Sequence, residues 1–409
     1  MNASFISSAN NALAILGAPP TFGEPLPVGQ LYFPTWDAYE RAFRELFARQ
    51  YYTNQGPLAD RLEVLLAERM KVKHAICVTN ATIGLSMVAD ALGIEGSVVM
   101  PSFTFVASAQ AMVWSKLRPA FCDIDPQTHH MNLEQLDRLL AQGASAVMAV
   151  NLWGDTYDMP ALEEVARRHG VPLFFDSAHG FGCAFKGKPL GGFGKAEVFS
   201  FHATKVMSTG EGGCITTDDD DFAERLRNIR SSYGVRAQIK VYRTANGRMS
   251  EAQAAIGLLN LENIDDIIER NGRLHQCYRD GLQSLPGLTV RVPTHADKSN
   301  WQYLILEVSP DEFGLSRDQL HAVLQKEGVI ARRYFNPGTH RCPPFDRISP
   351  TLLQETDLLC DRVLQLPLGA KTDEAIVGRI VGLLQTAHHF AARIRTTLQE
   401  ADRGRESMR

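Results

Sequence analysis

The chain has 409 residues, 44% of them hydrophobic and 22% charged, with a formal net charge of -4. That length allows one large and one smaller core, and the weak negative charge offers neither nucleic acid nor an anionic membrane a reason to bind. Seven scattered cysteines show neither metal-ligand spacing nor an even disulfide set, no run nears the roughly 18 apolar residues of a membrane span, and Ala12–Leu16 is too short for a signal core, so a reduced cytoplasmic chain without a metal is expected.

In chain order, the first 30 or so residues are rich in Pro and Gly (Gly17-Ala18-Pro19-Pro20, Gly23-Glu24-Pro25) and read as an extended arm, followed by a helix before residue 50. The spacing of Leu58, Leu62, Leu65 and Leu66 marks a helix face. Strands and helices then alternate. Ala75–Thr79 is a short apolar run before a helix over Thr82–Leu92. Ser97–Met100 is a strand before a helix over Val106–Ser115, and Pro119–Ile124 a strand before the helical face Leu133, Leu136, Leu140. Ala146–Leu152 and Pro172–Phe175 continue the series, with helical spacing at Leu162, Val165 and Ala166 between them. Near-continuous apolar strands between amphipathic helices predict a buried, mainly parallel sheet.

After Lys205 the pattern changes. Gly212–Thr216 reads as a strand, Asp221–Arg230 as a surface helix, and about Ser250–Arg279 as one long helix. Strands at Leu288–Val292, Tyr303–Val308 and Val329–Arg333, with a helix around Leu320, Val323 and Leu324, predict a small α+β unit. The expected division is therefore an arm and helix over 1–50, a large α/β domain over 51–280, a small α+β domain over 281–393 and a charged tail over 394–409.

Two residues stand out chemically. Asp176 ends a strand, where parallel α/β sheets place their ligands, although an Asp there also serves as a helix cap. Lys205 lies among small and apolar residues in Ser200-Phe201-His202-Ala203-Thr204-Lys205. A buried ammonium is costly unless paired or lowered in pKa, and covalent linkage to an aldehyde removes that cost; the competing reading is a surface lysine in a loop. Gly210, Gly212 and Gly213 do not make a dinucleotide fingerprint, and no P-loop is present. Asn80-Ala81-Thr82, at a turn from strand into helix, can cradle an anion on free amides or simply cap the helix.

Several segments together resemble the DegT sugar-aminotransferase family of fold-type-I pyridoxal-phosphate (PLP) enzymes, from about Tyr51 to Leu384. They are Thr53-Asn54-Gln55-Gly56-Pro57, Pro101–Val106, Asp176-Ser177-Ala178-His179-Gly180-Phe181-Gly182, Ser200–Lys205, Gly210-Glu211-Gly212-Gly213 and Asn246-Gly247-Arg248-Met249-Ser250-Glu251. The resemblance implies an aspartate-aminotransferase-like fold with a large, mainly parallel domain and a smaller carboxy-terminal α+β domain. It makes Lys205 the cofactor-bearing lysine and Asp176 the partner of the pyridine nitrogen. His179 falls near the cofactor's O3′, Phe105 against the ring, and Ala81, Thr82 and Ser200 at the phosphate. Asn246 corresponds to an asparagine reaching the phosphate of a neighbouring subunit, which implies a homodimer with shared sites.

Family members that dehydrate sugars carry histidine at the lysine position, so Lys205 favours amino transfer. The motif wording is most similar to the branch acting on dTDP-4-keto-6-deoxyglucose, with L-glutamate as donor and a 4-amino-4,6-dideoxyhexose nucleotide as product. Arg332, Arg333, Tyr334 and His340 are the candidates for binding that substrate. A same-fold aminotransferase acting on a keto compound without a nucleotide remains open, as does a PLP-binding regulator without turnover. Lys205, Asp176 and Ser200 together weigh against the regulator, and the missing glycine fingerprint weighs against a dehydrogenase.

Overall fold

The computed structural model describes residues 12–232, 239–241, 243–348 and 352–406; residues 1–11 of the expected arm and 407–409 of the expected tail lie outside them. The central sheet contains β1 (His74–Val78), β2 (Ser97–Pro101), β3 (Arg118–Cys122), β4 (Ala146–Val150), β5 (Leu173–Asp176), β6 (Glu197–Ser200) and β7 (Gly213–Thr217). Their spatial order is β1-β7-β6-β5-β4-β2-β3. Only β7 is antiparallel, to both β6 and β1; the other pairs are parallel.

The continuous apolar runs have a direct cause. Side chains alternate across a strand, and both faces of this sheet are covered. Val99, Val147, Phe175, Phe199 and Cys214 pack into one core, while Val98, Met148, Phe174, Val198 and Ile215 pack into another on the opposite face. The first face is covered by helices that include α2 (Pro57–Met70), through Leu62 and Leu66. The second is covered by α3 (Ala81–Leu92) and α4 (Val106–Trp114), through Leu85, Val88 and Met112. Ahead of α2 runs α1 (Trp36–Arg49).

The long helix expected from Ser250 to Arg279 is two abutting helices, Glu251–Glu262 and Ile264–Leu282, meeting at Asn263. The first begins with a capping box in which Ser250 and Gln253 exchange hydrogen bonds. The second joins the two cores: Ile264, Ile267 and Ile268 lie in the large one, Leu274, Tyr278 and Leu282 in the carboxy-terminal one. That smaller unit has a three-stranded antiparallel sheet of Leu288–Val290, Leu304–Val308 and Val363–Leu366. Val363–Leu366 and the helix Glu374–His389 were not anticipated. Of the expected strand Val329–Arg333, only Val329–Ile330 is paired as strand, in parallel with Leu26–Pro27 of the arm. Leu13, Leu16 and Leu26 of that arm join the carboxy-terminal core. The tail runs on as the helix Ala391–Glu406, fixed by the fully buried Ile394. No described helix is long and apolar enough to cross a membrane.

Candidate active site

The carboxyl ends of β1, β5 and β6 converge on a cavity of about 630 Å³, and the register explains why. Asp176, the last residue of β5, pairs with Val198, and Ser200, the last of β6, pairs with Gly213 of β7, which in turn faces Val78 at the end of β1. Beyond Val78 the chain turns at Asn80 into α3. Asn80 caps that helix by accepting from the Ile83 amide at 2.9 Å, while the Ala81 and Thr82 amides have no intrahelical acceptor. A β-carbon at Gly213 would lie 2.9 Å from the Ala81 nitrogen and 2.7 Å from the Phe199 carbonyl oxygen. Only glycine lets the helix terminus sit this close to the sheet. Ala81, Thr82 and Ser200 thus line one end of the cavity, with a helix terminus that favours an anion.

Asp176 is buried. Its Oδ2 accepts from Ser108 Oγ at 2.7 Å and its Oδ1 from the Ala178 amide at 3.1 Å. Burial raises its carboxyl above the ordinary range, and the Ser108 hydroxyl, the Ala178 amide and the Lys205 charge pull it part of the way back. His179 is buried too, and burial together with Lys205 keeps its imidazole neutral, well below its usual pKa.

Lys205 sits in the loop between β6 and β7. The loop is pinned at its base by Phe201 to Gly212 (2.9 Å) and Thr209 to Phe201 (2.9 Å) backbone bonds, and by Asn260 Nδ2 donating to the Ser208 carbonyl at 2.7 Å. The lysine reaches the cavity wall, where enough protein surrounds it that burial pushes its ammonium down to about 8, partly offset by Tyr334 and Asp176. Its Nζ donates to Tyr303 Oη at 2.9 Å.

The same cavity takes in Phe105, Arg332 and Tyr334, with Arg332 donating to Tyr334 Oη at 2.9 Å. Three candidates lie outside it. Arg333 points to Asp318 at 3.2 Å and is half exposed. His340 is buried against Ser102, its Nδ1 2.7 Å from the serine Oγ, with Asp357 3.3 Å from its Nε2. It is held as a packing group, not as a cavity wall. Asn246 is exposed beside β1, where Gly247 accepts from the Thr79 amide at 2.8 Å. Two motif segments are structural partners: Glu251 accepts from the Leu58 and Ala59 amides at 3.0 and 2.9 Å, and a β-carbon at Gly56 would be 2.5 Å from the Glu251 carboxyl carbon.

Ser108 and Tyr303 were missed. Ser108 lies in the first turn of α4, three residues past Phe105, the extended residue that precedes the helix. Tyr303 arrives from the other unit, 98 residues beyond Lys205, and carries no local signal.

Chemically, the site offers an amine of lowered basicity, an incompletely compensated buried carboxylate and an anion cradle in one cavity. That donor set fits a ring-bearing phosphate cofactor with an aldehyde at one edge and a protonated nitrogen at another. The chain belongs to the DegT/DnrJ/EryC1/StrS aminotransferase family, whose model matches residues 37–385. Among curated relatives it is 30% identical to a dTDP-4-amino-4,6-dideoxy-D-glucose transaminase of Shigella dysenteriae over 364 residues, covering 88% of this chain and 99% of that one. It is 32% identical to a GDP-perosamine synthase of Caulobacter vibrioides over 367 residues, covering 88% and 98%. Among solved structures, DesI in the presence of its TDP-sugar product superposes with a TM-score of 0.89 at 38% identity, covering 95% of this chain and 100% of that one.

Proposed function

We propose that this aminotransferase uses PLP to move an amino group from L-glutamate to a keto sugar nucleotide, with dTDP-4-keto-6-deoxyglucose as acceptor and a 4-amino-4,6-dideoxyhexose nucleotide as product. The observation that carries the reading is the pairing, in one cavity, of the Lys205 amine with the buried Asp176 carboxylate. The Shigella and DesI relatives support a thymidine-linked sugar as the acceptor.

Bound PLP supplies a reactive carbonyl carbon and an electron-accepting ring. Ala81, Thr82 and Ser200 would hold its phosphate, and Phe105 would lie against its ring. Asp176 would keep a proton on the ring nitrogen, aided by the Ser108 and Ala178 donors that favour its anion. Lys205 Nζ would hold the cofactor and move a proton at the donor's Cα, a positioned acid–base role worth about 10²–10⁴-fold. His179, neutral, donates or accepts beside the ring without adding charge. Arg332, beside Tyr334, is the cation offered to the substrate diphosphate.

A second copy of the chain completes the site in this reading. Asn246 is exposed and does not line its own cavity, while Phe105 (57% exposed) and Trp114 (77%) leave apolar surface at the cavity mouth. Purified protein is expected to be yellow and to bleach with L-glutamate, and to aminate the keto sugar nucleotide far faster than the same sugar without its nucleotide. Equal rates would remove the nucleotide from the reading. Multiple turnovers by Lys205→Ala would remove the lysine.

A further inference from the structure

The one described hydrogen bond of the Lys205 amine runs to a residue of the other unit. Tyr303 opens the strand Leu304–Val308, and the segment before it is stitched to the large domain on both sides of the site. Asn300 Nδ2 donates to the carbonyls of His179 and Phe181 at 2.8 and 2.9 Å, and Gln302 Oε1 accepts from the Val206 amide at 2.9 Å. These bonds fix the backbone next to His179 and next to Lys205. The Tyr303 ring is then packed from two directions, with the His179 ring centroid at 4.2 Å and that of Trp153 at 5.4 Å. A buried phenol confined in this way has little freedom to move its hydroxyl.

We propose that Tyr303 is a positioning residue that receives the Lys205 amine whenever it is not joined to the cofactor, holding it at the cavity wall for the next proton transfer. The inference rests on the function proposed above. Its physical basis is that a phenolic oxygen accepts a hydrogen bond from an ammonium more strongly than from a neutral amine. Tyr303 Oη therefore favours the protonated lysine, against the burial that favours the neutral one. Burial also keeps the phenol itself protonated, well above its ordinary value, so it acts as a neutral acceptor and not as a counter-charge. The charged or titratable groups that line the cavity with this amine are Asp176, His179, His202, Glu211, Arg332, Tyr303 and Tyr334. Only Tyr303 has a hydrogen bond to it among the described residues.

The consequence is a measurable change in lysine basicity in the protein freed of cofactor. Capture of PLP by the amine requires the neutral form, so the capture rate rises with pH through the lysine pKa, near 8. Tyr303→Phe keeps the ring and its packing against His179 and Trp153 and removes only the acceptor. Its midpoint is expected about one pH unit lower, a roughly tenfold weaker hold on the proton, so capture near neutral pH becomes faster while multiple-turnover kcat falls and KM for L-glutamate changes little. The experiment mixes cofactor-free protein with PLP across a pH series, reduces with borohydride, and quantifies the adduct on the peptide carrying Lys205. Tyr303→Leu, which removes the ring as well, is run in parallel. An unmoved midpoint in Tyr303→Phe, or a shift seen only in Tyr303→Leu, overturns the proposal, because the hydroxyl would then be idle. If the wild-type protein captures PLP somewhere other than Lys205, the functional reading falls and this one falls with it; capture at Lys205 with an unmoved midpoint overturns this one alone.

Discussion

Replacing Ser108 with Ala removes one hydroxyl and almost no volume, so the effect can be assigned to a single hydrogen bond. That bond is the 2.7 Å contact to Asp176 Oδ2, where both partners are buried. Burial already raises the Asp176 carboxyl, and the Ser108 hydroxyl is the first of the groups that hold it down. A hydrogen bond to a charged group is worth about 1.5–3 kcal/mol. At about 1.36 kcal/mol per tenfold, its loss makes Asp176 roughly 10- to 100-fold more ready to take up a proton.

Asp176 acts as an anion, and a carboxyl whose pKa is raised loses that anion as pH falls, so loss of Ser108 moves the acidic limb of activity to higher pH. The rate of the L-glutamate half-reaction, followed by loss of the yellow colour, is expected to drop about 10- to 100-fold in Ser108→Ala on the acidic side and to approach the wild-type rate at alkaline pH. A constant ratio of the two rates at every pH would refute the reasoning, because it would show that Ser108 acts through packing and not through the charge on Asp176.

Gly213→Ala is expected to cost about 1–3 kcal/mol of stability, visible as a lower melting temperature. It also weakens PLP binding, since the added carbon meets the Ala81 nitrogen at 2.9 Å and moves the anion cradle; unchanged cofactor affinity would show that Ala81 and Thr82 are not the cradle. Glu197, fully buried and accepting from Ser177 Oγ (2.7 Å) and the Gly191 and Phe193 amides (2.6 and 3.0 Å), has a carboxyl raised by burial from 4.5 to about 7. Its protonated form is favoured by the fold, so its contribution is fully present below 4.5 and is lost as pH rises through about 7. Stability of the wild-type protein should therefore fall relative to Glu197→Gln across that window in denaturant titrations, and parallel pH profiles would exclude the mechanism.

The central sheet was legible because burial on both faces leaves a signal that survives in one dimension: runs such as Val98-Val99-Met100 and Ala146–Val150 are apolar throughout, and the helices between them keep their periodicity. Asp176 and Lys205 each have an ordinary competing reading on their own, as a helix cap and a loop lysine, and it is the motif resemblance around them that singles them out; the structure brings both to one cavity. The join at Asn263 was not legible, because both helices are individually well formed and only the packing of each against a different neighbour separates them.

The sequence by itself determined the alternation of strand and helix, and with it that the carboxyl ends of two strands would present Asp176 and Ser200, with Lys205 in the loop that follows. Tertiary structure alone decided which distant groups serve them. Tyr303 reaches Lys205 from the other unit, Ser108 turns toward Asp176 and not to solvent, and His340 goes into packing against Ser102 and Asp357 while Arg332 lines the cavity. Spacing along the chain reports which face of an element is buried. It carries no record of which element lies opposite, and the partners of a buried charge are set by that.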